Sequence, residues 1–184
     1  MPKKKESHVF TADQVKRQLA DSSQALARFT ESMVYDEPAL FNALVDVSLG
    51  GDKLYAQRAS RVVFLCSNRF PEMFRPHCSR IIRELRHNQS EGAIRNLLKI
   101  IAEVPVKLTG RDKSILVNLC FDYLVSNAFP VAIRVFSMQV LYNLSCEIPE
   151  IREELFRILE EQLPDATPGY LSRARRILEK GKRG

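Results

Sequence analysis

Four arginines recur along this chain of 184 residues at a near-constant interval: Arg58, Arg95, Arg134 and Arg173, separated by 37, 39 and 39 positions. Each lies early in an apolar stretch, in the strings Ala56-Gln57-Arg58-Ala59, Ala93-Ile94-Arg95-Asn96, Ala132-Ile133-Arg134-Val135 and Leu171-Ser172-Arg173-Ala174, where Arg175 offers a second register for the last. A guanidinium stays charged at neutral pH and presents a planar fork of donors, so the chemistry on offer is the holding of carboxylates or phosphates. On helical spacing Arg58 and Arg61 share one face and Arg95 and Lys99 the next, with Arg134 continuing the row and Arg173, Arg176 and Lys180 extending it. These eight residues are the candidate binding site. Two roles stay open for Arg58, Arg95 and Arg134. Each can pair with an acid of a neighbouring segment, for which Asp52, Glu91 and Asp165 are placed, or it can meet an external anion.

Catalytic chemistry has no comparable signal. His8, His77 and His87 show no H-x-x-x-H spacing and no adjacent glutamate, and His77 and Cys78, being neighbours, point to different sides of any helix. Cys66, Cys78, Cys120 and Cys146 form no C-x-x-C pair and lie in apolar segments, which reads as small buried hydrophobes in a reducing cytosol. Gly50-Gly51 runs into Asp52-Lys53 and not into a phosphate-cradling loop, so it reads as a turn. The pairs Glu153-Glu154 and Glu160-Glu161 fall on the wet side of an amphipathic segment. No catalytic residue, metal ligand or cofactor is expected. Aromatic interleaving of the kind single-stranded nucleic acid favours is thin, and Phe64, Phe121 and Phe136 read as core.

Charge is collected in blocks. The net charge of +6 is distributed as −2 over residues 1–52, +7 over 53–100, −4 over 101–170 and +5 over 171–184. No apolar run approaches the roughly 18–20 residues that span a bilayer, and the basic start Met1-Pro2-Lys3-Lys4-Lys5 is not followed by an apolar signal segment. A cytoplasmic protein without membrane contact is expected.

Self-similarity decides the architecture. Residues 71–85 align without a gap on residues 149–163: both open with Pro-Glu, and Met73, Ile81 and Leu85 match Ile151, Leu159 and Leu163. The offset of 78 is two units of about 39, the interval at which the arginines return. Residues 149–163 carry one apolar stripe opposite Arg152, Glu153, Glu154, Arg157, Glu160 and Glu161, as an outer helix with one wet side would. Residues 130–146 are apolar almost all round, as an inner helix between neighbours would be.

With these features residues 38–181 resemble the HEAT repeat family, in which a helical hairpin of roughly 40 residues often begins near a proline and its second helix carries an arginine followed by small and aliphatic residues. The resemblance implies an all-α, right-handed α-solenoid of about four HEAT-like hairpins, with inner helices lining a concave surface. The histidine–glutamate metal pattern of some HEAT-type hydroxylases is absent. HEAT-like DNA glycosylases use tryptophans that this chain lacks altogether.

The expected layout is a basic flexible N-terminus over 1–10 and one domain over 11–181. In it, an N-terminal cap over 11–34, opened by the capping-box spacing of Thr11 and Gln14, precedes repeats near 38–69, 71–104, 112–146 and 149–181. First helices are predicted near 38–49, 71–86, 112–127 and 149–163, and their partners near 53–69, 90–104, 130–146 and 168–181. Arg75, Arg80, Arg83 and Arg86 then fall on an outer, convex helix. Arg173, Arg175, Arg176, Lys180, Lys182 and Arg183 read as a solvated basic tail or a partner-binding segment. Function follows as a non-catalytic scaffold whose concave surface holds a protein or peptide. The alternative is nucleic-acid binding through the arginine ladder. The apolar residues Leu171, Ala174, Ile177 and Leu178 of the last helix, with no repeat beyond, predict a capping contact or weak self-association.

Overall fold

The computed structural model describes residues 10–181, so the expected flexible N-terminus, His8, Lys182 and Arg183 lie outside the described residues apart from Phe10. Eleven α-helices, and no strand, occur among the described residues. They are α1 (Ala12–Gln18), α2 (Gln24–Asp36), α3 (Ala39–Ser48), α4 (Lys53–Arg69), α5 (Pro71–Phe74), α6 (Cys78–Glu84), α7 (Glu91–Glu103), α8 (Gly110–Val125), α9 (Val131–Ser145), α10 (Glu150–Gln162) and α11 (Pro168–Gly181).

Local chemistry sets the helix starts. Thr11 and Gln14 close the capping box ahead of α1, and Thr109 and Asp112 close a second ahead of α8. The side chains of Ser23, Asp52 and Ser90 accept the first free N–H groups of α2, α4 and α7. Pro71 and Pro168 open α5 and α11, where a missing N–H is harmless, and Pro38, Pro130 and Pro149 stand just before α3, α9 and α10.

One expected helix is not continuous. The segment 71–86 breaks into α5, a 3₁₀ turn over Arg75–His77, α6 and a second 3₁₀ turn over Leu85–His87. Pro76 is the cause of the first break: it donates no N–H, and its ring crowds the carbonyl four residues earlier.

The helices pack in two rows. One runs α2–α4–α7–α9–α11, each member against the next; α1 packs on α3 and α6 on α8, forming a second row behind it. The two rows join through α3 on α4, α8 on α9 and α10 on α9. Hydrogen bonds between successive units repeat the unit length. Asn88 Nδ2 donates to Ser48 O, Ser90 Oγ to Lys53 O, Asn96 Nδ2 to Gln57 O, Tyr123 OH to Leu85 O and Asn143 Nδ2 to Ala102 O, at separations of 40, 37, 39, 38 and 41 residues. The core is mainly aliphatic, from Val15 and Leu40 through Val63, Leu97 and Leu141 to Leu159 and Ile177, with Phe41, Phe74, Tyr123 and Tyr170 buried among them. At roughly 1.5–3 kcal/mol for each such side chain, stacking governs stability.

The two ends of the array are closed differently. The segment 11–34 supplies two helices that extend both rows, and α2 turns Phe29 and Tyr35 to solvent. At the other end Ala174, Ile177 and Leu178 are buried within the chain itself, because α11 lays this stripe on α9 and α10. The far side of α11 presents Ser172, Arg175, Arg176 and Glu179, with Leu171 half-covered. That polar face removes the apolar surface on which the self-association reading rested.

Cys66, Cys78 and Cys120 are buried free thiols, and burial pushes each up to about 12. Cys146, expected among them, is exposed at the C-cap of α9.

Candidate functional site

Four of the eight candidate residues meet in one groove of about 350 Å³. Its walls come from the α1–α2 connection and from α2, α4, α7 and α9; Arg58 and Arg61 of α4 and Arg95 and Lys99 of α7 all line it. Its apolar lining includes Leu26 and Ala27 on α2, Phe64 and Leu65 on α4, and Phe136 on α9. Among the described residues Asp21 is the only carboxylate on its lining.

The four cations differ in what they already hold. Arg58 Nη1 donates to Leu19 O at 2.9 Å and Ala20 O at 2.7 Å, and its guanidinium lies 5.7 Å from the Tyr55 ring centroid. Arg61 Nη1 donates to Ser22 O at 2.9 Å. Both therefore fasten the connection that follows α1, where helix-end carbonyls concentrate partial negative charge. Asp21 stays below its usual carboxylate range because the Ser23 side chain and backbone donate to it, with Arg58 nearby, and these outweigh the opposing effect of burial. Its carboxylate is thus occupied in closing the loop.

Arg95 and Lys99 are less committed. Among the described residues Arg95 donates only to Asn96 Oδ1, at 3.2 and 3.4 Å. Lys99 makes no ion pair or hydrogen bond among the described residues; its ammonium lies 4.1 Å from the Phe64 ring centroid and 6.0 Å from that of Phe136. The two cations stand one helical turn apart on α7, half-buried, beside an apolar floor.

The other four candidates lie elsewhere. Arg134 Nε donates to Leu124 O at 3.2 Å and its Nη2 to Gln162 Oε1 at 2.8 Å, with the guanidinium 4.8 Å from the Tyr170 centroid. It joins α8, α10 and α11 and does not face the groove. Arg173 Nη1 donates to Gln139 Oε1 at 2.7 Å, and Arg176 and Lys180 are exposed on α11. The acids named as partners do not serve the arginines either. Asp52 caps α4 and pairs with Lys16 at 3.4 Å, and the acceptors of Arg58 and Arg134 are backbone carbonyls and an amide.

Phe64 and Phe136, expected as core, pack against the core cluster and are half-buried, their remaining surface lining the groove and flanking Lys99. Leu26, Leu65 and the connection Asp21-Ser22-Ser23 are lining that sequence reasoning did not single out. Their signal was weak, since an apolar residue on a groove and one in a core follow the same helical period.

The remaining candidates sit as surface or packing. His77 lies 3.0 Å from Asn42 Oδ1 and beside Phe41, and burial, aided by Arg80, lowers its proton affinity. Arg75, Arg80, Arg83 and Arg86 are exposed, and Arg80 pairs with Asp46 at 2.5 Å. Glu154 and Glu161 on α10 share Arg157. No cluster of histidine, cysteine or acidic side chains that could hold a metal ion occurs among the described residues, and no described helix is long and apolar enough to cross a membrane.

The HEAT repeat domain model matches residues 16–181, most of the chain. The protein belongs to the HEAT repeat family. No curated protein and no solved structure matches this HEAT repeat chain. HEAT repeats commonly serve as interaction scaffolds and are generally non-enzymatic, and in this one the groove on the inner row gathers four cations, of which Arg95 and Lys99 make no ion pair among the described residues, beside half-buried apolar side chains.

Proposed function

We propose that this HEAT repeat protein is a non-catalytic scaffold that holds a protein or peptide partner in the groove of its inner row. The observation that carries the reading is the pairing of Arg95 and Lys99, cations that meet no carboxylate among the described residues, with the half-buried apolar lining of Phe64, Leu65 and Phe136. Mixed apolar and charged lining of this kind is what a protein interface presents at its centre and rim. In this reading the hairpins wind as a right-handed solenoid of about four repeats after an N-terminal capping pair, with the groove on the concave side. The protein works in the cytoplasm, where three buried free thiols and one exposed thiol stay reduced.

A phosphate track along the arginine ladder has less support. Arg58, Arg61, Arg134 and Arg173 already donate to groups of the chain itself, and Arg134 leaves the row. Two uncommitted cations release few counterions, so backbone-driven nucleic-acid binding would be weak at physiological salt.

Site-specific photo-crosslinking in cells that naturally make the protein tests the proposal. A crosslinker at Gln57, on the groove wall, is compared with one at Ser114, exposed on α8. A discrete protein adduct from Gln57 and none from Ser114 is expected. Adducts to nucleic acid, or equal yields of one adduct from both positions, refute the reading.

A further inference from the structure

The chemistry of the groove specifies its occupant more narrowly than a protein partner. We propose that it takes an acidic peptide segment, with one carboxylate held between Arg95 and Lys99 and a neighbouring aliphatic or aromatic side chain seated on Phe64, Leu65 and Phe136. The inference rests on the groove being the binding surface, as proposed above.

Charge complementarity decides the sign. Among the described residues the groove lining carries four cations, Arg58, Arg61, Arg95 and Lys99, against one carboxylate, Asp21, which Ser23 engages. Arg95 and Lys99 are therefore cations that a partner must neutralise if it buries them, since an unpaired charge removed from water is costly. Their spacing of one helical turn lets a single carboxylate approach both, or lets two acids meet one each. Lys99 is also pre-positioned. Its ammonium rests on Phe64, so its stem is already ordered and less side-chain entropy remains to be lost on binding.

Volume and shape favour a peptide over nucleic acid. A space of about 350 Å³ lies at the small end of ligand pockets and accommodates an anchoring side chain, not a folded domain.

Selection from a library of short random peptides displayed on phage, against the full chain, provides the test. Sequences enriched on the native protein are expected to carry net negative charge together with at least one Leu, Ile or Phe. Synthetic versions should lose at least roughly tenfold in affinity on R95Q/K99Q, which removes charge while keeping the side chains' bulk, and more on R95E/K99E. Binding should also weaken as salt rises from about 50 to 200 mM. Circular dichroism of both variants separates loss of binding from loss of fold. Enriched sequences that are neutral or basic, or acidic ones that bind folded R95Q/K99Q unchanged, overturn this inference and leave the scaffold reading standing. A folded native chain that enriches nothing, and whose Gln57 crosslinks only nucleic acid, overturns both.

Discussion

Replacing Arg134 by alanine should destabilise the C-terminal end of the array far more than replacing Lys99. Arg134 donates to the Leu124 carbonyl and the Gln162 amide, and covers the face of Tyr170, itself 2% exposed. Tyr170 also donates its hydroxyl to Gln162, so one side chain anchors a network joining α8, α10 and α11. After R134A the Leu124 carbonyl keeps only Gln162 Nε2, at 3.4 Å. A hydrogen bond from a charged donor contributes about 1.5–3 kcal/mol, and a partly shielded cation–π contact about 1 kcal/mol. Allowing for partial relaxation, R134A should cost roughly 2–4 kcal/mol, or on the order of 5–15 °C in Tm for a chain this size. R134K should recover only part of it, because an ammonium cannot span both acceptors in one plane. Lys99 has no hydrogen bond to lose, so K99A should cost less than about 1 kcal/mol. Urea denaturation measures both, and hydrogen exchange should show α10 and α11 opening first, since a repeat array loosens unit by unit. If R134A and K99A fall within about 0.5 kcal/mol of each other, the division of the arginine row into structural and uncommitted members is wrong.

Three further outcomes follow from buried polar groups. Burial acts to raise Asp112, but hydrogen bonds from Ser79 and Thr109, and nearby Arg83, hold its carboxyl below the ordinary value. D112A should therefore cost about 1–3 kcal/mol near neutral pH. Because the folded-state value is the lower one, this stabilisation is complete above the unfolded value near 3.8 and is lost as pH falls further; acid titration of unfolding should show the native–D112A gap closing below about pH 4. A thiol reagent at mildly alkaline pH should modify Cys146 rapidly and Cys66, Cys78 and Cys120 only on unfolding, since burial lifts those three to about 12; fast reaction of a second thiol would contradict the packing. N96A removes the side chain that donates to Ser60 Oγ at 3.0 Å and orients Arg95; it should cost roughly 1–2 kcal/mol by urea denaturation and weaken acidic-peptide binding in the same variant.

The stacked hairpins were legible because their cause is periodic. An apolar stripe every 3.6 residues and a unit of about 39 residues fix which helices face one another, and the inter-unit hydrogen bonds return at that separation. Local exceptions were harder to read. Pro76 interrupts a segment whose apolar pattern continues past it, so the period alone predicts one helix over 71–86 where backbone chemistry forbids it. That Phe64 and Phe136 keep part of their surface on the groove was not legible at all. Whether an inner helix's apolar flank is covered depends on how far the neighbouring helix stands away, and no residue on the flank itself records that distance.

The arginine row shows why a constant interval in sequence is not a constant direction in space. Arg58 is the sixth residue of α4, Arg95 the fifth of α7, Arg134 the fourth of α9 and Arg173 the sixth of α11. Each residue turns a side chain by about 100°, so Arg58 and Arg134 differ by roughly 200° about their own helices. The contacts follow this phase. Arg58 and Arg173, both sixth, reach back to the preceding unit at Leu19, Ala20 and Gln139, whereas Arg134, fourth, reaches forward to Gln162 and Tyr170. Arg95 lies between them in phase and bonds only to its neighbour Asn96, which is why it remains available in the groove. The phase is written in the residues that immediately precede the helices, Asp52, Ser90, Pro130 and Thr167. Counted from those positions and not from one another, the four arginines separate in the sequence itself into two that lock backward, one that locks forward and one left free to bind.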